Sequence, residues 1–267
     1  LVEVETDEEI IGIGEMCTHS ERDEASIAAK TIVERGFKPM LVGENPLDMG
    51  RLWSKMYGYS EWYGRRGLAI FALSGVDVAL WDIMGKALGV PAYRLLGGPF
   101  RDRIRVYASI LFNMDDPDGT AREGRHWVQD GYTAVKYGWG LTREKAFGLD
   151  ARKDEEMVKA IRQELGEGVD IMIDVGRFVN WTAPYATKMA KRLEKYNIFW
   201  LEEALPQDDI DGYVKLAAST DVFIAAGEGE YTRYGFHQLI SRRAVDIVQP
   251  DVTKAGGLAE ARRISDL

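Results

Sequence analysis

From residue 105 onward the chain repeats one unit, a short β-rich run followed by an amphipathic helical stretch. The runs are RVYASI (105–110), AVKYG (134–138), DIMIDV (170–175), IFWLEE (198–203), FIAAGE (223–228) and DIVQPD (246–251). Helical patterns such as EEMVKAIRQEL and ATKMAKRLEKY lie between them. Alternating β and α units of this length mean a parallel sheet covered by helices, because parallel strands need long crossovers. The choice is then between a doubly wound sheet and a (β/α)₈ barrel. No Gly-rich phosphate fingerprint follows the first strand, which weighs against a dinucleotide fold. Polar residues instead close strand after strand: Lys136, Asp174, Glu202, Glu228 and Asp251. A barrel places its chemistry at the C-terminal ends of many strands, so this distribution selects the barrel.

The region before this repeat reads differently. Leu1–Glu15 forms a hairpin pattern, with VEVE, a polar turn at 6–8 and then IIGIGE. Helices are expected over 24–35 and 46–57, the second with Asn45 as N-cap and Pro46 at N1. The stretch 66–88 is apolar almost all round and is expected to be a buried helix, stopped by Gly89 and Pro91. An α+β domain over 1–95 and a β/α barrel over 96–267 follow. Six strands of an eight-stranded barrel would leave two edges unpaired. The expectation is therefore that the subunit continues beyond Leu267, and that a strand precedes the hairpin.

Composition narrows the partners. A net charge of −9 leaves no basic surface for nucleic acid. No apolar run of about 18 residues is expected to cross a membrane. The single cysteine, Cys17, suits a reducing compartment, and the start lacks a basic signal region, so the cytoplasm is the expected location.

Asp174, Glu202 and Glu228 end three successive strands, spaced by 28 and 26 residues, one βα unit apiece. Any one of them alone could be a helix N-cap. Three carboxylates at one rim repel unless a hard cation neutralises them, and Mg²⁺ accepts such oxygen ligands. Glu203 adjoins Glu202, but a strand's period of two turns it away. Glu230, two residues beyond Glu228, is a further carboxylate near the same rim.

GVDVALWDIMGKALGVPAYRLLGG (75–98), WLEE (200–203), GEGE (227–230) and VQPDVTKAGG (248–257) together resemble the mandelate racemase/muconate lactonizing enzyme family of the enolase superfamily. The resemblance runs over essentially the whole chain, with the motifs in family order. It implies an α+β capping domain and a modified (β/α)₇β TIM barrel, with Mg²⁺ held by Asp174, Glu202 and Glu228. It implies a reaction that removes the proton α to a carboxylate. The family carries a Lys-x-Lys pair on the second barrel strand and an Asp–His pair on later strands. Here Lys136 matches the first lysine, but Gly138 stands where the second should be. Lys136 then reads as an electrostatic lysine, and racemisation with two bases is disfavoured. Asp251 matches the dyad aspartate, whose histidine is expected beyond Leu267. Lys254 matches the position where other members keep a lysine base, so both routes stay open.

His19 falls in a capping-domain segment where the family builds substrate specificity, whereas His126 and His237 lie in amphipathic helices as surface or packing residues. The aromatic cluster Trp53, Tyr57, Tyr59, Trp62 and Tyr63 is expected in a second such loop. That loop offers apolar area for packing a homo-oligomer. The expected activity is dehydration of an acid sugar. The alternatives are a sugar-lactone cycloisomerase or epimerase working through Lys254, and a catalytically silent binder of metal or sugar acid.

Overall fold

In the hairpin at the start of the chain, β1 (Val2–Glu5) pairs antiparallel with β2 (Ile11–Gly14). The computed structural model describes residues 1–18, 22–176 and 178–267. Packing divides the chain into two units, one of Leu1–Asp102, Glu228–His237 and Pro250–Leu267, the other of Arg103–Gly227 and Gln238–Gln249.

In the first unit α1 (Glu24–Thr31) runs into a π-helical turn (Ile32–Phe37) and the short α2 (Lys38–Leu41). α3 spans Met49–Gly64 and α4 spans Leu68–Leu88. The two glycines of IGIG let β2 lie on α4, since a Cβ at Gly12 or Gly14 would strike the backbone of Ala79 or Gly75. α4 ends as expected: Gly89 takes a left-handed conformation (φ 66°), and the N–H of Val90 reaches back to the Gly85 carbonyl at 2.9 Å. α5 (Ala92–Leu95) follows, and α11 (Gly257–Ser265) packs against α4.

Three expectations need correction here. Asn45 does not cap a helix. Its Oδ1 accepts the Leu47 N–H at 3.0 Å in a local turn, and α3 starts only at Met49. The aromatic stretch 53–63 is not a loop but the body of α3. Finally, α4 is long and apolar enough to cross a membrane by composition, although 72% of its most apolar window is buried inside the protein, as in a core helix.

The second unit holds a six-stranded parallel sheet: β3 (Ala108–Leu111), β4 (Ala134–Gly138), β5 (Asp170–Asp174), β6 (Ile198–Glu202), β7 (Phe223–Ala226) and β8 (Ile247–Val248). The strands lie in strict sequence order, β3 through β8. A doubly wound sheet would reverse at a switch point, whereas this order is that of a β/α barrel. α6 (Pro117–Gln129), α7 (Ala151–Leu165), α8 (Ala183–Leu193), α9 (Ile210–Ala217) and α10 (Thr232–Ser241) are the intervening helices. α6, α7 and α9 open on Asp116, Asp150 and Asp209, whose carboxylates accept backbone N–H groups of the first turn.

Register sorts one sheet face into two rungs. The lower carries Ser109, Lys136, Met172 and Trp200, and the upper carries Leu111, Gly138, Asp174, Glu202 and Ala225. The opposite face presents Tyr137, Ile173, Leu201 and Ile224, all buried. At the other end of the sheet Arg162 reaches the carbonyls of Gly166 and Val169, just before β5, and of Tyr196 and Asn197, just before β6. One planar guanidinium thereby satisfies four carbonyl acceptors.

Candidate active site

β5 and β6 end side by side, and their registered partners Asp174 and Glu202 stand on the upper rung with 2% and 1% of their surface exposed. Lys136 rises from the rung below, its four-carbon stem spanning the step. Its ammonium lies 2.9 Å from Glu202 Oε1 and 3.4 Å from Asp174 Oδ2. Burial alone would pull the lysine down, but attraction to Glu202 and Asp174 and the hydrogen bond to Glu202 outweigh it and hold the ammonium above its ordinary range. Tyr137, between Lys136 and Gly138, points to the opposite face as the strand period requires.

Two buried carboxylates face one ammonium, and their hard oxygens are the donor type that Mg²⁺ prefers. These residues fit a divalent cation. Gly138, on the same rung, is closely packed: a Cβ there would press on Leu111 Cδ2 at 3.3 Å and touch the Ile110 carbonyl at 3.7 Å. Among the described residues, no group of three or more His, Cys, Asp or Glu side chains is gathered closely enough to hold an ion, so the structure by itself joins two of the three expected ligands.

Glu228 belongs to the first unit, where its carbonyl accepts the Lys254 ammonium at 3.3 Å. Lys254 also lies 3.7 Å from Asp251 Oδ2, while Asp251 Oδ1 accepts both the N–H and the hydroxyl of Thr253. Asp251 and Lys254, the two expected routes to a base, thus touch one another. Glu230 is tied locally, to the Tyr231 N–H and to Arg66 at 3.8 Å. Glu203 sits in a left-handed turn (φ 47°) just after β6, and its carboxylate accepts Gln207.

His19 lies outside the described residues. His126 is exposed on α6, near Asp130, and His237 is exposed on α10. The aromatic cluster divides. Trp53 is buried, stacks on Tyr57 at 5.1 Å and donates to the Gly256 carbonyl, whereas Tyr59, Trp62 and Tyr63 are exposed. The arginines Arg233 and Arg263 cover Trp53 and both bind the buried Glu260.

The sequence reading passed over Trp200, whose indole N–H donates to Glu202 Oε2 at 2.9 Å. It also missed Tyr107, whose ring lies 5.8 Å from the Lys136 ammonium. The pattern Trp-x-Glu places Trp200 and Glu202 on one strand face, a period-two signal that was available in the sequence.

Residues 1–97 match the family model for the mandelate racemase/muconate lactonizing enzyme N-terminal domain, and residues 119–267 match the enolase C-terminal domain-like model. Arabinonate dehydratase of Saccharolobus solfataricus is 36% identical over 267 residues, covering 99% of this chain and 68% of that protein. The solved 3,6-anhydro-D-galactonate cycloisomerase of Zobellia galactanivorans superposes with a TM-score of 0.86 at 32% identity, covering 99% of this chain and 70% of that one. A racemase of Streptomyces coelicolor A3(2), solved with bound magnesium, gives a TM-score of 0.87 at 26% identity over 99% of this chain and 70% of its own. The chain spans about two thirds of the length of the curated relatives it matches, from 64% to 68%. With both family models matched, over residues 1–97 and 119–267, the chain belongs to the mandelate racemase/muconate lactonizing enzyme family of the enolase superfamily.

Proposed function

We propose that this protein removes the proton α to a carboxylate with the help of Mg²⁺, and that its reaction is the dehydration of an acid sugar. The observation that carries the reading is the buried pair Asp174 and Glu202 with the Lys136 ammonium shared between them. The dehydratases among its relatives support the choice of reaction. Asp174 and Glu202, with Glu228 as a third ligand, would hold Mg²⁺, which would supply positive charge at the substrate carboxylate. Lys136 adds a fixed ammonium beside it, which stabilises the negative charge that grows as the α-proton leaves. Burial of the two carboxylates keeps water out and strengthens every charge interaction there. The α-proton passes to a base, the β carbon–oxygen bond breaks, and the departing hydroxide takes a proton to leave as water. The enol that remains tautomerises to a 2-keto-3-deoxy acid. A screen of aldonic and aldaric acids, with Mg²⁺ and with chelator, tests this. Formation of 2-keto-3-deoxy acid that stops with chelator is expected, and turnover indifferent to chelator refutes it.

Gly138 leaves β4 without a second lysine, so the base is either a histidine oriented by Asp251 or Lys254 itself. The contact of Lys254 with the Glu228 carbonyl favours a second reading, isomerisation by cycloisomerase or epimerase chemistry through that lysine. Asp251→Asn is expected to lower turnover by about 10²–10⁴-fold, the range of a mis-oriented general base. If Asp251→Asn remains active while Lys254→Ala is dead, the second reading replaces the first.

The same reading makes the protein a cytoplasmic homo-oligomer, with exposed Tyr59, Trp62 and Tyr63 of α3 at the subunit contact. Light scattering at micromolar concentration checks it, and a monomer refutes it.

A further inference from the structure

The two oxygens of Glu202 are held by different donors from different directions. Oε1 accepts the Lys136 ammonium at 2.9 Å, and Oε2 accepts the Trp200 indole N–H at 2.9 Å. Trp200 stands one step below Glu202 on the same strand face, in register with Met172 on β5. The residue is 8% exposed and packs with Ala134, Met172 and Ala225. Tyr107 meets that ring edge-on, centroids 5.5 Å apart, and the Lys136 ammonium lies 5.8 Å from the centre of the Tyr107 ring. Tyr107, Trp200, Glu202 and Lys136 therefore close a ring of contacts. Both edges of the Glu202 carboxylate are fixed before any ligand arrives.

We propose that Trp200 is a positioning residue that makes Glu202 a one-oxygen ligand and thereby selects Mg²⁺ over Ca²⁺. The proposal rests on the metal-dependent reading given above. The two oxygens of a carboxylate subtend too narrow an angle to fill two adjacent octahedral positions, and Mg²⁺ demands near-octahedral geometry. Ca²⁺ accepts one- or two-oxygen carboxylates in a looser shell. An indole N–H bound to Oε2 keeps that oxygen from turning to the ion, which withholds the two-oxygen mode that Ca²⁺ uses. The indole cannot follow Oε2 into such a mode, because Tyr107 and the aliphatic floor fix the ring. Oε1 is the oxygen left to a cation, beside the Lys136 ammonium, which lies 5.8 Å from the centre of the Tyr107 ring.

The test compares the full wild-type chain with Trp200→Phe, which keeps an aromatic ring in the floor and removes the N–H. Mg²⁺ and Ca²⁺ are measured by their competition with Mn²⁺, followed by electron paramagnetic resonance without substrate. Loss of the tether is expected to weaken Mg²⁺ by about 10–100-fold, as for other partners that orient metal ligands. Ca²⁺ is expected to hold or tighten, so that the Mg²⁺/Ca²⁺ preference falls at least as far. Equal weakening of both ions, or no change in either, overturns the tether and leaves the metal site standing. A wild-type chain that binds neither ion overturns the metal-dependent reading itself, and the tether with it. Should Trp200→Phe fail to fold, ¹⁵N-labelled tryptophan in the wild type serves instead. One indole N–H resonance should move on adding Mg²⁺ while staying protected from exchange, and the absence of any responding indole overturns the proposal.

Discussion

Asp174 and Glu202 at the sheet rim, and Asp77 on α4 and Asp154 on α7, are four carboxylates that the fold takes almost wholly out of water. Only the first two meet a cation. Asp77 Oδ2 accepts the Ala259 N–H at the start of α11 and Asp154 Oδ1 accepts the Gly148 N–H, each at 3.0 Å, while Asp77 Oδ1 and Asp154 Oδ2 have no partner among the described residues. Burial pushes both aspartates up to about 7, against which backbone donors (Ala259 and Leu258 for Asp77, Gly148 for Asp154) and an arginine do little. At the rim an ammonium sits between the two acids. An ionised carboxylate is expensive to bury, so a place that keeps two of them beside a lysine is built for charge. A place that lets a carboxyl approach neutrality is built for hydrogen bonding. Burial alone does not mark a catalytic acid.

Removing a rim charge should break the contrast most strongly. Glu202→Gln is expected to lower acid-sugar turnover by about 10³–10⁴-fold, the several kcal/mol a divalent cation supplies, with the fold retained by circular dichroism. Activity close to wild type would remove Glu202 from the site. Gly138→Lys sharpens the same contrast. The new side chain starts on the rung of Asp174 and Glu202, and a second ammonium there would compete with Mg²⁺ for those carboxylates. An increase of roughly tenfold in the Mg²⁺ needed for half-maximal turnover is expected, since one displaced unit charge near a surface is worth on the order of 1 kcal/mol or more. An unchanged Mg²⁺ requirement would show that the lysine finds another place.

The smallest effect belongs to the other pair. The folded pKa of Asp154, about 7, lies above its ordinary 3.8, so the folded chain holds that proton more tightly than the unfolded chain. Its stabilising share is complete below about pH 4 and is lost as the pH rises through about 7. Asp154→Asn keeps an acceptor for Gly148 and cannot ionise. Urea unfolding should find this variant more stable than wild type by about 1–3 kcal/mol at pH 8, with no such gain at pH 4. An equal difference at both pH values would mean that Asp154 is not neutralised by its surroundings.

How far the sequence led depends on the distance over which each feature is encoded. AVKYG became β4 residue for residue, because alternation and β-branched content are local properties. Asp174 and Glu202 were legible for the same reason, as polar residues closing apolar runs, and Lys136 as a lone charge inside one. Asn45 misled because the same side chain serves helix caps and free-standing turns, and the difference lies in backbone angles that composition does not fix. The stretch 53–63 read as a loop, yet α3 carries it, with Trp53 fastened to Gly256, which lies 203 residues away. Glu260 between Arg233 and Arg263 was hidden for the same reason, being a contact of three separate sequence positions. Trp200 was half legible. Its face followed from the strand period, but the bond to Glu202 depends on a rotamer held by Tyr107, which no local pattern announces.

Arg162 has a practical consequence. It gathers the carbonyls that precede β5 and β6 at the end of the sheet away from Asp174 and Glu202. Two adjacent strands are thus anchored at their starts by a side chain that takes no part in the rim. A protein engineer could randomise the loops that follow these strands in search of new substrates while the anchor stays untouched. Exchanging Arg162 for lysine, a point donor in place of a planar fork, would instead loosen both strands at once.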